Sequence, residues 1–406
     1  MLLLILLPLA FCLDNGLLRT PPMGWMSWAT FYCETDCIKY PFACINEDLY
    51  KDMGNILVDH GYLDAGYNRI HVDDCWMASS RDKTGRLLAN QTRFPSGIKA
   101  LTKFMHERNL FFGIYEDYGT KTCAGYPGSK GFAQIDAQTF ADWNCDYLKY
   151  DGCNSKASEG AVGYPEMAKA LNATGRAIGY SCEWPLYMYL QNLTADYKAI
   201  AATCNVFRNY EDVENSWHSI SRIIMHFYEN QDEFAAVHGP GQWNDPDMIV
   251  AGNKGVGLKE SKTQLTVWSI WSAPLILSAD LRELSAEFRE LILNKEMIAI
   301  DQDPLFKMGK VVMVTSNEKV LVYTKPVTPT TGNLTSYAIA FVNISHKHKK
   351  SAKVRLSDLG LTNVKGYELR ELWDKKDYGV MLPSQKIKIH ALPPMDSMLF
   401  KATIVQ

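Results

Sequence analysis

The sequence predicts an α/β fold, a (β/α)8 TIM barrel followed by a C-terminal antiparallel β-sandwich domain. From residue 22 to about residue 303, short apolar runs that end in polar residues alternate with longer amphipathic segments. This is the pattern of parallel strands joined by helices. After residue 303 the long helical patterns stop, and runs that alternate apolar and polar residues follow between turn-rich breaks. Such alternation is typical of an antiparallel sheet with one solvated face.

The first twelve residues, MLLLILLPLAFC, predict a signal peptide. This apolar run is too short to span a bilayer. Ala10 and Cys12 stand where a signal peptidase requires small residues, so cleavage before Leu13 is expected. A retained hydrophobic anchor is the alternative. We therefore expect a soluble protein of the secretory pathway, since no later segment is apolar for long enough to cross a membrane.

Eight runs are the candidate strands of the barrel, which we expect to occupy residues 13–308. An amphipathic segment such as 95–108 lies between two of them, with its apolar positions on one helical face: Ile98, Leu101, Phe104 and Met105. An open doubly wound sheet competes with the barrel, but it would want a Gly-rich phosphate turn, and no G-x-G-x-x-G occurs. The candidate strands lie at 22–28, 67–76, 110–119, 145–153, 177–184, 204–213, 241–250 and 273–280.

The β domain is expected to occupy residues 309–406. Its candidate strands are VVMVTS, KVLVYTK, SYAIAFVNIS, AKVRLSDL, YELRELWD and KIKIHALPP. The run at 326–332 combines Pro, Thr and Gly, and we interpret it as a loop within this domain rather than as a linker.

Composition narrows the function classes. The 406 residues carry a formal net charge of −3 without a basic block, which argues against nucleic-acid partners. Cys12 would leave with the signal peptide, so nine of the ten cysteines remain, and in an oxidising compartment most of them should form disulfides. No zinc-site spacing is present. Sequons, several of which we expect to be glycosylated and exposed, stand at Asn90, Asn172, Asn192, Asn333 and Asn343.

The residues that end the candidate strands point to sugar chemistry. In a TIM barrel the active site lies at the carboxyl ends of the strands. Carboxylates there can bind hydroxyls, aromatic rings can pack on sugar C–H faces, and two acids can perform glycoside hydrolysis. The residues are Trp28, Asp73, Asp74, Tyr115, Asp117, Lys149, Asp151, Glu183, Arg208, Asp212, Asp245 and Asp247.

For any single acid of this set, an ordinary loop charge or a helix N-cap is the simpler interpretation. Recurrence around the ring weighs against it, and so does the adjacent pair Asp73–Asp74, whose like charges repel each other. Lys149 and Asp151 lie on the same side of one strand because side chains alternate. A cation there favours the ionised form that a nucleophile needs.

Seven blocks resemble the signatures of glycoside hydrolase family 27, which contains the lysosomal α-galactosidases and α-N-acetylgalactosaminidases. They are RTPPMGWMSW, HVDDCW, GIYEDYGTKTCAGYPGS, LKYDGC, SCEWPLY, CNVFRNYEDVENSW and GQWNDPDM. The resemblance runs in order from LDNGLLRTP to IAIDQDPL and covers the β domain only in general character.

The resemblance implies a retaining exo-glycosidase that needs no cofactor and no metal. Asp151 would be the nucleophile and Asp212 the acid/base, which needs an environment that raises its pKa. The resemblance further implies a carbohydrate substrate with terminal α-linked galactose and a homodimer. The need for a protonated acid favours an acidic compartment such as the lysosome, with secretion as the alternative. The galactose-binding positions would be Trp28, Asp73, Asp74, Tyr115, Lys149, Glu183, Leu186, Tyr187, Arg208 and Met248.

The resemblance also implies the disulfides Cys33–Cys75, Cys37–Cys44, Cys123–Cys153 and Cys182–Cys204, with Cys145 as a buried free thiol. Glu211 departs from the family pattern, and it either raises the pKa of Asp212 or faces away. The roles of Trp243, Asp245 and Asp247 stay open between lining the pocket and holding strand seven.

Two residues, Glu183 and Leu186, are expected to determine which sugar is removed. Glu183 can accept a hydrogen bond from the 2-hydroxyl of galactose, and Leu186 would fill the volume that an acetamido group needs; otherwise both only pack a loop. The α-N-acetylgalactosaminidases of the family carry small residues at these positions. An α-N-acetylgalactosaminidase, a catalytically inactive sugar-binding relative and a structural or adhesion protein remain the alternatives.

Overall fold

The computed structural model describes residues 15–315 and 319–406. The signal peptide expected over residues 1–12 lies outside the described residues. Within the part of the chain that is described, no helix combines the length and the apolar character needed to cross a bilayer.

Eight parallel strands form the first sheet, in the spatial order β7-β6-β5-β4-β3-β2-β1-β8. A parallel bridge between Ile249, just after β7, and Leu277 in β8 brings the two ends of the sheet together. The strands are buried almost throughout, as expected for a sheet that is covered by helices. They are β1 Met23–Met26, β2 Arg69–His71, β3 Phe111–Asp117, β4 Tyr147–Asp151, β5 Gly179–Cys182, β6 Val206–Arg208, β7 Trp243–Asp245 and β8 Leu275–Leu277. The predicted TIM barrel is confirmed.

The helices that alternate with these strands follow the predicted amphipathic pattern. In α4, Ile98, Leu101 and Met105 are buried and Phe104 is half-buried, so the apolar face packs inward. The helices are α1 Trp28–Phe31, α2 Glu47–Asp59, α3 Tyr62–Ala65, α4 Ile98–His106, α5 Ala133–Asp142, α6 Gly160–Ala173, α7 Trp184–Leu190, α8 Tyr197–Ala201, α9 Trp217–Glu229, α10 Gln231–Val237, α11 Leu258–Trp271, α12 Ala286–Ile292 and α13 Lys295–Asp301.

A second, antiparallel unit follows from residue 310 onward. Six strands form one sheet in the order β14-β13-β16-β11-β10-β9, and β12 pairs with β15 in a separate sheet. A core between the two sheets contains Phe341, Phe400 and Ile387, as in a β-sandwich. The strands are β9 Lys310–Val314, β10 Leu321–Thr331, β11 Leu334–Val342, β12 Lys350–Arg355, β13 Tyr367–Glu371, β14 Lys376–Met381, β15 Lys386–Leu392 and β16 Ser397–Ile404.

The prediction of a loop over residues 326–332 is wrong. Strand β10 continues through Pro326 to Thr331 and turns only at Gly332. Pro326 keeps its place opposite Tyr337, and Pro329 lies in a register shift between Val327 and Thr330, where a bulge lets proline stay in a strand without donating to the ladder.

A buried lysine links the two units. Lys325 on β10 is fully buried, and its ammonium donates to the carbonyl of Ser269 at 3.0 Å, to Ser272 Oγ at 2.6 Å and to the carbonyl of Ile300. These acceptors lie at the ends of α11 and α13, where helix carbonyls lack partners and attract cations. Lys325 therefore fastens the β domain to the barrel.

Four disulfides lie in the barrel, and they are the four pairs that the family resemblance implies. The structure joins Cys33 to Cys75, Cys37 to Cys44, Cys123 to Cys153 and Cys182 to Cys204. Among the described cysteines Cys145 is free, and it is buried.

The sequon at Asn343 contradicts the expectation of an exposed glycan. Asn343 is fully buried, and its amide donates to three backbone carbonyls, those of His348, Leu392 and Pro393. A glycan would remove these hydrogen bonds and has no space there, so this sequon is excluded from modification in the folded chain. The other sequons offer exposed or half-exposed side chains: Asn90, Asn172, Asn192 and Asn333.

Candidate active site

The polar ends of the strands converge at one end of the barrel. Asp117, Asp151 and Arg208 are the last residues of β3, β4 and β6, and Glu183 follows β5 directly. Parallel strands in a barrel place their carboxyl ends together. All four side chains are buried, so this end of the barrel holds a concentration of charge shielded from water.

Asp151 is held by three hydrogen-bond donors. Tyr115 Oη lies 2.8 Å from Oδ2, Tyr187 Oη lies 2.6 Å from Oδ1, and the backbone N–H of Gly152 donates to Oδ1 at 2.8 Å. Donors to a carboxylate stabilise its charged form and fix its orientation. Burial, followed by the charge of Asp151, raises the pKa of both tyrosines above their ordinary values, so they remain donors.

The chain after β4 is shaped around this carboxylate. A Cβ on Gly152 would come within 2.6 Å of the Tyr187 ring, so only glycine lets Tyr187 approach Asp151. The Cys123–Cys153 disulfide packs on the same group, with Cys123 Sγ 3.3 Å from Asp151 Oδ2 and Cys153 Sγ 3.0 Å from Tyr187 Oη. This disulfide therefore supports the Asp151 carboxylate as well as the fold.

Lys149 pairs with carboxylates other than Asp151. Its ammonium lies 2.8 Å from Asp73 Oδ2 and 3.3 Å from Glu183 Oε1. Burial lowers the pKa of Lys149, but the charges of Asp73 and Glu183 outweigh it and raise that pKa well above the ordinary value. The charge of Asp151 contributes less. Lys149 therefore interacts more weakly with Asp151, the partner expected from the sequence, than with Asp73 and Glu183.

The adjacent acids Asp73 and Asp74 face different partners. Asp73 accepts from Lys149 and from the backbone N–H of Asp74 at 2.7 Å. Asp74 accepts from the backbone N–H of Ala124 at 2.9 Å. Burial raises the pKa of Asp74 to about 6. The repulsion expected of neighbouring charges is thus offset by separate donors and one ammonium.

Arg208 connects three carboxylates. Its Nη1 lies 2.8 Å from Asp247 Oδ1 and 3.8 Å from Glu183 Oε1, and its Nη2 donates to Asp212. The guanidinium is 3% exposed, and a buried guanidinium needs such anionic partners. Asp247 also accepts from the backbone N–H of Val213 at 2.7 Å. Asp247 therefore belongs to the charge network around Arg208.

Asp212 lies at the rim of this network, with 57% of its side chain exposed. Desolvation raises its pKa, but the charges of Arg208 and Lys149 and hydrogen bonds from Arg208 and Trp28 act more strongly, so the pKa of Asp212 lies below its ordinary value. The expectation of an environment that raises this pKa is wrong for the free protein. The cause is the direct ion pair with Arg208, which the spacing of the two residues did not reveal.

Glu211 faces away from Asp212. Its carboxylate lies 2.8 Å from Arg222 Nη2 on α9, and the same guanidinium donates to Tyr210 Oη at 2.8 Å. The structure therefore supports the alternative in which Glu211 faces away, rather than the one in which it raises the pKa of Asp212. Arg222 neutralises the additional carboxylate at the protein surface.

Glu183 has an acceptor atom that lacks a hydrogen bond. Among the described residues, Oε1 is buried without a hydrogen-bond partner, although Lys149 and Arg208 lie 3.3 and 3.8 Å away. Burial, and then the charge of Asp151, raises the pKa of Glu183 well above its ordinary value. Buried acceptors in native proteins normally have donors, so this oxygen is suited to receive a hydroxyl. Leu186 on α7 is buried.

The three residues of the WNDPDM segment have separate roles. Trp243 is fully buried, and its indole donates to the carbonyl of Leu18 at 2.7 Å, so it holds the strand in place. Asp245 and Met248 line a cavity of about 20 Å³ together with Lys149 and Arg208. That volume suits a single water rather than a sugar. Asp245 and Met248 therefore lie beside the charged residues of the site.

Asp117 was not assigned a role from the sequence, although it ends a strand. It accepts from the backbone N–H groups of Gly119 and Cys153, the latter at 2.9 Å, so it braces the loops after β3 and β4. Burial and the charge of Asp151 raise the pKa of Asp117 to about 9. Asp117 therefore favours its protonated form at neutral pH.

One group of potential metal ligands occurs in the described part of the chain, and it fits a metal poorly. Asp117, Asp151, Cys123 and Cys153 have ligand atoms within 4.8 Å of one another. The two sulfurs form a disulfide, whereas a metal binds cysteine as thiolate. Two carboxylates alone are left, and both already accept protein hydrogen bonds.

Comparison with protein families gives two matches along the chain. Residues 20–303 match the family model described as alpha galactosidase A, and residues 318–402 match the alpha galactosidase C-terminal beta sandwich domain. Together they cover both units of the fold.

Individual relatives agree with these matches. The chain is 50% identical over 304 residues to "Alpha-galactosidase A" of Homo sapiens, covering 75% of this chain and 71% of the relative. It is 41% identical over 367 residues to "Alpha-N-acetylgalactosaminidase" of Gallus gallus, covering 90% and 89%. Among solved structures, alpha-galactosidase I from Mortierella vinacea superposes with a TM-score of 0.83 at 29% identity, covering 96% of this chain and 98% of that one.

Proposed function

This chain belongs to the alpha-galactosidase A family of glycoside hydrolases, family 27, and on that premise we propose that Asp151 is its nucleophile and Asp212 its acid/base. The protein is an enzyme that hydrolyses α-galactosides. The observation that best supports the proposed roles is the contrast between the two acids. Asp151 is buried and fixed by three donors, whereas Asp212 is exposed at the rim, where a leaving group departs.

In the first step Asp151 attacks the anomeric carbon and the bond from that carbon to the glycosidic oxygen breaks. Asp212 donates its proton to the departing oxygen. In the second step a water gives a proton to Asp212 and attacks the same carbon, which releases Asp151. Tyr115 and Tyr187 fix the orientation of the Asp151 carboxylate through one hydrogen bond to each oxygen, and two displacements retain the anomeric configuration.

Asp212 must be protonated for the first step, although Arg208 favours its carboxylate form. Arg208 has a second partner, since Asp247 lies 2.8 Å from Nη1. The guanidinium therefore stays neutralised when Asp212 takes up a proton. Low pH supplies that proton, which is the reason to place the enzyme in an acidic compartment.

We further propose that galactose is the preferred sugar. Glu183 Oε1, which accepts no hydrogen bond from the described residues, supports an acceptor for the 2-hydroxyl, and the buried side chain of Leu186 would occupy the volume that an acetamido group needs. An α-N-acetylgalactosaminidase is the second candidate, since a relative of that name matches 90% of the chain. The large pair Glu183 and Leu186 favours the galactosidase. Glycolipids, glycoproteins and oligosaccharides are all candidate sources of the terminal sugar.

The compartment and the assembly are inferred more indirectly. Four disulfides agree with the oxidising secretory pathway. Within that pathway we propose the lysosome, because the mechanism requires a protonated Asp212, with secretion as the alternative. We also propose a homodimer, on the family resemblance alone, which sedimentation of the glycosylated protein would test.

The stereochemistry of the released sugar tests the function. Wild-type protein is mixed with an aryl α-galactoside, and the first-formed galactose is observed by ¹H NMR before it mutarotates. We expect α-galactose, with Asp151→Asn as an isosteric inactive control against contaminating activity. Initial β-galactose would contradict the double displacement, and turnover by Asp151→Asn would contradict the assignment of the nucleophile.

A further inference from the structure

Tyr32, which follows α1, has an unusual backbone conformation. Its φ is 45° and its ψ is −131°, a region that bulky L-residues rarely adopt. Nevertheless 48% of its surface is exposed, so the ring is not needed to fill the core. A strained residue persists where the surrounding structure imposes it, and such residues cluster at functional sites.

The surroundings of Tyr32 hold it firmly. Its backbone N–H donates to the carbonyl of Trp28 at 2.8 Å, and its ring contacts the Trp28 indole edge to face, with centroids 5.8 Å apart. The next residue, Cys33, is bonded to Cys75, which directly follows Asp74. The Tyr32 ring thus packs on the indole, and the chain next to Tyr32 is tied to the segment that carries two proposed sugar-binding acids.

The loop that carries Asp212 is tied to the same helix. Asn215 Nδ2 donates to the carbonyl of Ala29 in α1 at 2.8 Å, and the Trp28 side chain lies close enough to Asp212 to help lower the pKa of that carboxyl. Desolvation and the charges of Glu214 and Asp212 raise the pKa of Tyr32, consistent with its place beside these carboxylates. The exposed ring therefore lies on the Asp212 side of the pocket mouth.

The position of the Tyr32 ring determines which part of the substrate it can contact during the reaction. The acid contacts the glycosidic oxygen, so the leaving group extends from that oxygen past Asp212 toward solvent. We propose that Tyr32, braced by Trp28, is the stacking platform for the first ring of the leaving group. The inference rests on the proposed function and assigns this chain's specificity for the part of the substrate beyond galactose.

The ligand is a ring with an apolar face, either the C–H face of a pyranose or an aryl group. Aromatic side chains pack on such faces, and a well-oriented aromatic contact changes affinity about two- to tenfold. Tyr32 carries no charge to bind an anion or a cation. Substrates whose leaving group lacks a ring gain nothing from the platform.

The test compares two substrates that share galactose. Melibiose places a glucose ring beyond the glycosidic oxygen, and α-galactosyl fluoride places none. We expect Tyr32→Ala and Tyr32→Gly to lower kcat/KM for melibiose about two- to tenfold relative to the fluoride, while Tyr32→Phe keeps the wild-type ratio. The glycine variant relieves the backbone strain and therefore separates the ring from the conformation.

Tyr40→Ala is the matched control, since Tyr40 is 44% exposed in the neighbouring Cys37–Cys44 loop. Its ratio of kcat/KM for melibiose to kcat/KM for α-galactosyl fluoride should equal that of the wild type. Equal losses on both substrates, or a loss in Tyr32→Phe as large as in Tyr32→Ala, would overturn the platform while leaving the proposed function intact. Failure of the wild type to process either substrate would overturn both.

Discussion

Replacing Glu183 by Ser and Leu186 by Ala should reverse the sugar preference. Glu183 presents a buried oxygen that accepts no hydrogen bond from the described residues, and an ordinary hydrogen bond contributes about 0.5–1.5 kcal/mol net. Its loss should lower kcat/KM for α-galactosides about two- to twelvefold. Lys149 and Arg208 keep Asp73 and Asp247 as partners at 2.8 Å, so the variant should still fold.

The second substitution acts through volume. Leu186 is 4% exposed, and forcing an acetyl methyl group into occupied space costs about 1–3 kcal/mol. Leu186→Ala removes that cost for N-acetylgalactosaminides, a gain of about five- to 150-fold. Together the two changes should shift the ratio of the two efficiencies by about tenfold to two-thousandfold.

The assay measures kcat/KM for the p-nitrophenyl α-glycosides of galactose and N-acetylgalactosamine. Glu183→Gln with Leu186→Met is the control, because it conserves volume and should keep N-acetylgalactosaminide turnover negligible. Thermal unfolding of each variant separates specificity from stability. Equal efficiencies of the wild type for both sugars, or an unchanged ratio in the double variant, would refute the argument from the pocket.

Two further predictions concern the acid and the disulfide. Asp247→Asn should move the alkaline limb of the kcat/KM profile to lower pH, because Arg208 would then act on Asp212 without competition, and the pKa of an acid that must be protonated would fall further. Replacing Cys123 and Cys153 by Ser should lower the free energy of unfolding by about 2–5 kcal/mol and also lower kcat, since the disulfide contacts Asp151 and Tyr187.

Each of these has a contradicting result. If the alkaline limb of the kcat/KM profile stays in place or moves to higher pH in Asp247→Asn, Arg208 does not set the pKa of Asp212. The variant lacking Cys37 and Cys44 is the control for the disulfide and should lose stability but keep kcat. Similar kcat values in the two disulfide variants would contradict a supporting role. Peptide mapping should find Cys145 alkylated only after unfolding, and its presence in a bridge would contradict the pairing.

The alternation of apolar runs and amphipathic segments was sufficient to predict the barrel, because buried parallel strands and their covering helices differ in period and length. Two strands of the β domain were not predicted. Lys376–Met381 is an exposed edge strand with no apolar alternation, and Ser397–Ile404 follows a turn at the end of the chain. Strand β10 passes through Pro326, a residue that normally marks a break, and through Pro329, which lies within the register shift between Val327 and Thr330.

Strand ends indicated which side chains meet, but not how they pair. Lys149 and Asp151 share a strand, yet the stronger partners of Lys149 come from β2 and β5. The ion pair that lowers the pKa of Asp212 depends on the path of the loop after β6, which no local pattern specifies. Asn343 shows the same limit, since a sequon motif does not reveal burial.

Chemical rescue by azide tests the central assignment most directly. Asp151→Gly should not hydrolyse an aryl α-galactoside unless azide is added, and the product should be β-galactosyl azide because a single displacement inverts the anomeric carbon. With Asp212→Gly and an activated leaving group, azide should intercept the glycosyl-enzyme and give the α-azide. The α-azide from Asp151→Gly and the β-azide from Asp212→Gly would show that the roles of the two residues are exchanged.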